Sequence, residues 1–473
     1  MKKLLLKIVL ILIAILFLWA GFNIVSDINE PEFVAGKGYD TSSVVNFLND
    51  LFPPIPVTKE NGFFKLWTLT EPPNVNIESD EILKIQKDLN DPEKTTVKRR
   101  KEWISHSKNS QRDKYFKKIL AKRKKLIKEP WDQITMPANK DWGALILKER
   151  ESVQEVQYLM KTLMERYDDI ISTNYFKDYT LLVIEKNKVD FRNTPIPNLL
   201  AWVHVTKQHT AINTLKALEG DWINSVENIL DNIEFGKKAV GWSRTLITNL
   251  IGKAVIKLSL RGLTTIMNQP YCPDDVYRLI LEKLDDIEYK EYGTEKQLLV
   301  EGFCVARIKN INPLFQKNRT KKYFFDELSK MVESEKKPPY KWKNNLSKRE
   351  TAKKGFFWWL QNPAGKLRFE YGMVNIHTII SRSFQTKTIY DMVRISAELH
   401  LKYDPSKTIR ENLNSLDLYK SHIDPCSGKP YKWNDAKQVL YSFGIDKDDD
   451  GGKDISFKSI DTDYMIPILL YVK

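Results

Sequence analysis

The stretch that decides the fold is "TAINTLKALEGDWINSVENILDNIEFGKKAVGW", residues 210–242. Apolar residues recur there at steps of three and four, which places them on one face of an α-helix. Gly220 can adopt the left-handed conformation that ends a helix, and Asp221 is a residue type that caps the start of the next one. The pattern therefore predicts two helices joined by a very short turn, so that they pack as antiparallel neighbours.

The same helical periodicity extends on both sides of this hairpin. "ESVQEVQYLMKTLMERYDDI" (151–170) predicts one amphipathic helix. "RTLITNLIGKAVIKLSLRGLTTIM" (244–267) predicts a helix that ends near Asn268, and "VYRLILEKLDDI" (276–287) predicts a further one. Successive antiparallel pairs predict a mainly α protein, in which stacked helix pairs form a solenoid-like array over 141–316.

Length and composition limit the class of protein. A chain of 473 residues is too long for one compact core and predicts two or three domains. Hydrophobic residues make up 42%, which excludes general disorder although 29% of residues are charged. Cys272, Cys304 and Cys426 are far apart, which excludes a zinc ribbon and a thioredoxin-type motif. Their spacing leaves open both buried unpaired thiols and a bridge between Cys272 and Cys304.

The N-terminal segment is "MKKLLLKIVLILIAILFLWAGFNIVSD", residues 1–27. Its apolar run of roughly 20 residues is long enough for a transmembrane helix. A cleaved signal peptide is the alternative, but Leu18 and Trp19 before Ala20 match a cleavage site poorly. Lysines precede the run, so the positive-inside rule places the N-terminus in the cytoplasm. Residues 1–26 are therefore predicted to be a single-pass anchor, with the rest of the chain outside the cytoplasm.

Residues 27–140 combine an irregular, proline-containing spacer with a strongly basic helical segment. The segment 97–128 holds 14 Lys or Arg against two acidic residues, so about 12 of the chain's net charge of +14 lies there. Anionic lipid headgroups or an acidic protein are the partners that such a segment favours outside the cytoplasm. That location argues against nucleic acid, and a solvated helical face is the alternative to any binding role.

The C-terminal part changes character after a basic loop and aromatic segment at 317–362. There "GFFWWL" (355–360) suits either a membrane interface or packing in the core. A long helix is predicted from about Gly365 to Tyr403. Three short strands are predicted at "KPYKW" (429–433), "QVLYSFG" (438–444) and "YMIPILLYV" (464–472). Residues 363–473 therefore predict a small α+β lobe.

Within this lobe, "YSFGIDKDDDGGKD" (441–454) concentrates aspartates in a lysine-rich chain. Alternating short carboxylates followed by glycine, as at Asp448 and Asp450 before Gly451, begin an EF-hand loop. The twelfth position is Phe457, where an EF-hand requires Glu, so Asp461 or Asp463 has to complete the coordination shell. A solvated acidic turn is the alternative. The predicted calcium ligands are Asp446, Asp448, Asp450, Asp454 and Asp461.

Four segments carry a resemblance to known proteins. "NPAGK" (362–366), "LKYD" (401–404), "DPCSGKPYKW" (424–433) and the loop 440–454 resemble the ending of a group of uncharacterised bacterial membrane-anchored proteins. The tail resembles the globular lobe of type II secretion pseudopilins, although no prepilin peptidase site precedes the N-terminal apolar helix. The resemblance implies a long helix on a small antiparallel sheet, a structural calcium ion after an S-x-G-x-D segment, and a periplasmic location in bacteria.

Motifs for catalysis are missing from the sequence. It has no serine-hydrolase elbow, zinc-protease motif or phosphate-binding glycine loop. His204 and His209 are five residues apart, on different helix faces, and are poor joint metal ligands. Glu165, Asp168 and Asp169 share a helix side, as paired catalytic carboxylates do, but a solvated helix surface explains them better. The sequence thus favours a binding or scaffold protein of the bacterial cell envelope, and an envelope hydrolase with acidic residues in the helical concavity is the alternative.

Overall fold

The computed structural model describes residues 61–70, 111–127, 142–178, 183–185, 188–190, 197–286, 293–298, 333, 336–342, 363–445, 447–452 and 464–468. The predicted anchor (1–26), the aromatic segment 355–360 and Cys304 lie outside these residues. Among the described helices, none is long and apolar enough to cross a membrane.

Five helices come first along the described chain. They are α1 (Gly62–Thr68), α2 (Gln111–Leu126), α3 (Trp142–Lys148), α4 (Arg150–Leu159) and α5 (Lys161–Ile171). The prediction of one helix over 151–170 is wrong, because the backbone of Met160 leaves helical values (φ −100°, ψ 10°) and separates α4 from α5. The predicted apolar face is correct, since Val153, Val156 and Leu163 are buried.

A small hairpin, β1 (Val183–Glu185) and β2 (Lys188–Asp190), interrupts the helical part. The strands are antiparallel, with Ile184 opposite Val189. The helical periodicity of 141–316 predicts only helices here. The available signal was two short β-branched segments separated by two residues, which favours a hairpin over a helix.

Three long helices form the centre of the molecule: α6 (Leu199–Leu218), α7 (Trp222–Trp242) and α8 (Leu246–Met267). As predicted, α6 ends just before Gly220, which has a left-handed φ of 109°. Asp221 stands at the predicted cap position but caps nothing, because its carboxylate instead accepts a hydrogen bond from Asn224 Nδ2 at 2.8 Å. Each of the three helices contacts the other two.

Helices α7 and α8 are in close backbone contact at a pair of glycines. A Cβ added at Gly252 would lie 2.9 Å from Val240 Cγ2 and 3.1 Å from the carbonyl oxygen of Gly236. A Cβ at Gly236 would in turn lie 2.7 Å from Ile256 Cγ1. The two backbones can therefore pack at this distance only because neither residue carries a side chain.

The later helices are α9 (Asp274–Lys283), α10 (Pro363–Lys402), α11 (Ile409–Ser415) and α12 (Asp417–Ser421), and a 3₁₀ turn spans Pro339–Lys341. The long helix α10 agrees with the prediction. Its buried side chains do not lie on one side only, because residues 390–399 are all buried. The helix is enclosed in this part, since it contacts α8, α9, α12 and the C-terminal sheet.

The C-terminal sheet has three antiparallel strands in the order β3 (Lys432–Asn434), β4 (Val439–Ser442) and β5 (Tyr464–Pro467). Leu440 in the central strand pairs with Trp433 on one side and Ile466 on the other. Helix α10 packs against β4 and β5. The mainly helical fold and the small antiparallel sheet near the C-terminus are thus confirmed.

Two hydrophobic cores organise these elements. The first joins α1–α8 through residues such as Phe63, Trp202 and Phe235. The second joins α6–α12 to the sheet through residues such as Ile256 and Phe384. Its members lie on both sides of the predicted segment 317–362, and they include the buried thiols of Cys272 and Cys426. The domain boundaries given above stay predictions.

Candidate functional site

The acidic loop after β4 (443–452) folds back on the sheet. Lys447, Gly451 and Gly452 have left-handed φ values of 64°, 66° and 65°. A Cβ on Gly452 would lie 2.9 Å from Val439 Cγ2, so this backbone is packed against β4. The glycine pair therefore permits a tight turn at the position that the sequence indicated.

Asp449 belongs to the sheet side of this loop. Its carboxylate accepts hydrogen bonds from Lys432 Nζ (2.6 Å), Tyr441 Oη (3.0 Å) and the Gly451 amide (3.1 Å). Partial burial raises the pKa of Asp449, but these donors outweigh it and hold the pKa below its ordinary value. Asp449 is accordingly occupied by protein donors, and it was not among the predicted ligands.

Asp448 and Asp450, on either side of Asp449, are exposed. Exposed carboxylates at alternating positions are the oxygen donors that calcium prefers, so this part of the loop fits the ion. Asp446, Asp454 and Asp461 lie outside the described residues. Within the described part of the chain, no group of three His, Cys, Asp or Glu side chains could hold a metal ion. The calcium site therefore stays a prediction.

Lysines already hold the acidic loop in place. Lys437 Nζ donates to the carbonyl oxygens of Gly451 (2.8 Å) and Gly452 (3.0 Å). Lys447 Nζ donates to the carbonyl oxygen of Trp342 at 3.1 Å, which ties the loop to the 3₁₀ turn. The ammonium groups of these lysines compensate part of the negative charge of the aspartates, and their hydrogen bonds already order the loop. A bound ion would therefore add to this order rather than create it.

A buried polar cluster lies where α5, α6 and α7 meet. His209 Nδ1 is 2.8 Å from Asn232 Nδ2, and His209 Nε2 is 3.3 Å from Asn213 Nδ2. Nε2 lies 3.3 Å from Asp168 Oδ1. Asn213 Nδ2 donates to the His209 carbonyl at 2.9 Å. Because both ring nitrogens contact the protein and the ring is buried, this histidine serves to connect three helices.

The predicted carboxylate group does not act as one centre. Asp168 contacts His209, Asp169 pairs with Lys65 at 2.9 Å, and Glu165 pairs with Lys161 at 3.8 Å. Each carboxylate thus has a different cationic or polar neighbour. These contacts therefore do not support the alternative function, an envelope hydrolase that uses these carboxylates.

A second polar cluster, which the sequence did not indicate, joins α9 to the segment after α12. Ser421 Oγ is 3.0 Å from His422 Nδ1, and His422 Nε2 is 2.6 Å from Asp286 Oδ1, an order that resembles a hydrolase triad. However, Nδ1 also lies 2.9 Å from the Leu418 carbonyl, which only accepts, so Nδ1 is a donor. Ser421 Oγ donates to the Asp417 carbonyl. His422 therefore cannot take a proton from this serine, and the cluster is not a nucleophile site.

Helix α2 presents a continuous basic surface, called here the lysine face. Phe116 and Ile119 are buried, and the helix packs against α4. At 100° per residue, the exposed lysines cover an arc of about 160° on the opposite side. No acidic residue occurs from 114 to 127. The lysine face consists of Lys114, Lys117, Lys118, Lys122, Lys124 and Lys125.

Comparison with known proteins gives no family assignment. No family model, no curated protein and no solved structure matches this chain. Three described features therefore bear on function: the lysine face of α2, the acidic loop after β4, and the cluster around His422.

Proposed function

We propose that this chain is a membrane-anchored, extracytoplasmic binding or scaffold protein of the bacterial cell envelope, with a C-terminal lobe stabilised by calcium. The observation that carries the binding role is the lysine face, which is exposed while its helix is fixed to the helical body. Residues 1–26 are the proposed anchor. They would hold this face near the anionic lipids of the same membrane.

The energetics of the lysine face suit such a surface. A lysine close to an anionic membrane contributes about 1 kcal/mol, and several act together when one helix presents them. The contribution falls with added salt, because the Debye length is about 8 Å at physiological ionic strength. Burial of Phe116 and Ile119 fixes the orientation of α2, so little backbone order has to be gained on binding.

The fold supports the scaffold role. The short connections 219–221 and 243–245 favour the stacking of antiparallel helix pairs that we propose for the helical part, with the mutual contacts of α6, α7 and α8 at its centre. A helical surface of this kind suits a protein partner in the envelope. The packing of α10 on the small sheet supports a lobe like that of pseudopilins, and exposed Asp448 and Asp450 fit the proposed calcium ligands.

Vesicle binding tests the lysine face. The chain without residues 1–26, which keeps every described residue, should bind phosphatidylglycerol vesicles and release them as salt rises. Changing Lys117, Lys118 and Lys125 together to Gln should reduce this binding at least about tenfold, because each removes roughly 1 kcal/mol. Cosedimentation measures the bound fraction.

Changing Lys161, Lys283 and Lys420 to Gln is the matched control. These lysines are also exposed but lie on other elements, so this variant should bind like the wild type. Equal binding to phosphatidylcholine vesicles, or equal losses in the two triple variants, would contradict the proposal.

A further inference from the structure

The contact between α9 and the C-terminal lobe centres on three side chains. Asp286 follows α9, Arg394 lies on α10, and His422 follows α12. Arg394 Nη1 and His422 Nε2 both contact Asp286 Oδ1, the latter at 2.6 Å. Arg394 Nη1 also lies 3.1 Å from His422 Nε2. Arg394 and His422 are buried, whereas Asp286 is exposed.

The protonation state of His422 follows from its acceptors. Its Nδ1 donates to the Leu418 carbonyl, so a neutral ring would have a lone pair at Nε2. At 2.6 Å from a carboxylate oxygen that lone pair would be repelled, while a hydrogen on Nε2 makes a short charge-assisted bond. The contact with Asp286 therefore favours the imidazolium form, whereas the contact with Arg394 Nη1 suits the neutral one.

The neutral form of His422 has a different partner available. With a lone pair at Nε2, the ring can accept a hydrogen bond from Arg394 Nη1, which lies at 3.1 Å. Asp286 would then keep only Arg394 and would have to move away from the imidazole. When His422 loses one proton, its hydrogen bond to Asp286 beside α9 is thus replaced by one from Arg394, which lies within the lobe.

Other charged groups near His422 do not take the place of Asp286 as the partner of the imidazolium. Asp391, buried on α10, interacts electrostatically with His422, but it is paired with Lys387 and accepts from Tyr431 Oη at 3.0 Å. Asp417 and Lys420, on α12 itself, are exposed, and water screens them. The imidazolium therefore depends most directly on Asp286.

We propose that Asp286, Arg394 and His422 form a proton-controlled clasp between the end of α9 and the C-terminal lobe, closed when His422 is protonated and loosened when it is neutral. The clasp acts on residues 284–286 and the facing segment 417–424. The rest of α9 is held by buried Val276, Tyr277 and Ile280, whatever the state of His422.

The pH range follows from the charges. Arginine stays protonated throughout. Partial burial raises the pKa of Asp286, but the bonds from Arg394 and His422 outweigh it and hold the pKa below its ordinary value. Asp286 therefore contributes stability above about pH 3.9 and loses it only as the pH falls through its lowered folded value. Because the form of His422 that bonds Asp286 is the charged one, the clasp should open as the pH rises and the imidazole loses its proton.

Hydrogen exchange measured by mass spectrometry on the full chain tests the clasp. Labelling times are scaled to equal intrinsic exchange at pH 5.5 and pH 8.0. Peptides covering 281–286 and 417–424 should exchange about three- to tenfold faster at pH 8.0, because the charge-assisted bond is lost. Peptides from the α7–α8 crossing should show no such difference.

Two variants separate the clasp from a purely structural contact. His422→Gln cannot become charged, so its exchange in these peptides should be independent of pH. Asp286→Asn should give fast exchange at both pH values. His209→Gln, which alters the other buried histidine that contacts an aspartate, should keep the wild-type pH response. Equal scaled exchange at both pH values in the wild type, or a pH response that persists in His422→Gln, would overturn the proposal.

Discussion

At the scale of single residues, neighbouring aspartates of the acidic loop have different roles. All three of Asp448, Asp449 and Asp450 are exposed, and Asp449 also accepts hydrogen bonds from Lys432 and Tyr441 of the sheet. The two proposed calcium ligands Asp448 and Asp450 therefore flank an aspartate that is bonded to the sheet. The sequence indicated the exposed pair by its spacing, but it could not show that Asp449 is bonded to β3 and β4.

Calcium should stabilise the wild-type chain, and Asp448→Asn or Asp450→Asn should abolish this effect. An ion that binds only the folded state adds RT ln(1 + [L]/Kd), which is about 0.4 to 1.4 kcal/mol for 1 mM calcium at a site with a Kd of about 10⁻³ to 10⁻⁴ M. Thermal unfolding of the full chain, with calcium or with a chelator, measures it. Magnesium should substitute poorly, because its octahedral shell is smaller.

Asp449→Asn is the matched control in the same loop. It should lower the free energy of unfolding by roughly 1 kcal/mol at most, because the pair with Lys432 is partly exposed and screened. The melting temperature should therefore fall by the same amount with calcium and with chelator. Identical melting of the wild type in calcium and in chelator would show that Asp448 and Asp450 form only a charged turn.

At the scale of elements, local patterns located helices better than they described their surroundings. Gly220 and Asn268 correctly indicated where α6 and α8 end. The burial of residues 390–399 of α10 on all sides could not be read from the sequence, because this part contains polar residues such as Asp391 and Arg394 whose partners are distant in the chain. The break at Met160 has no signal in the apolar periodicity, which continues through it.

Gly252→Ala should destabilise the protein at the α7–α8 crossing. The new methyl group would meet Val240 and the Gly236 carbonyl closer than van der Waals contact, so the helices must separate, at a cost of about 1 to 3 kcal/mol. Chemical denaturation measures the change. Gly241→Ala in α7 is the control, since no atom lies within 4 Å of its Cβ position, and it should be neutral or slightly stabilising. A neutral Gly252→Ala variant would show that the crossing tolerates a side chain.

At the scale of the whole molecule, the proposed topology places everything after residue 26 outside the cytoplasm. A reporter enzyme that is active only outside the cytoplasm, fused after Lys473, should therefore be active. The protein should also stay in the membrane fraction after a carbonate wash, because a transmembrane helix is retained by its apolar length. Release into the soluble fraction would indicate cleavage of the N-terminal segment. An inactive reporter would indicate the opposite orientation in the membrane.

Long-range contacts mark the limit of what the sequence could predict about the sites. The loop 441–454 is local, so its composition was sufficient to select it. The clasp joins residues that are 136 positions apart, and neither Asp286 nor His422 stands in a recognisable motif. The two residues meet because α9 and α12 both pack against α10, and no periodicity in these helices predicts that arrangement.

The second hydrophobic core is also completed late in biosynthesis, because its parts are far apart in the sequence. Apolar side chains of α7, α8 and α9, such as Ile256, Leu263 and Ile280, leave the ribosome well before α10 and the sheet that cover them. During that interval the nascent chain exposes surface that favours aggregation. If the chain is exported as proposed, the cell has to keep it unfolded or shielded until its last strand has been delivered. Premature termination before α10 would then leave an insoluble product rather than a smaller working domain.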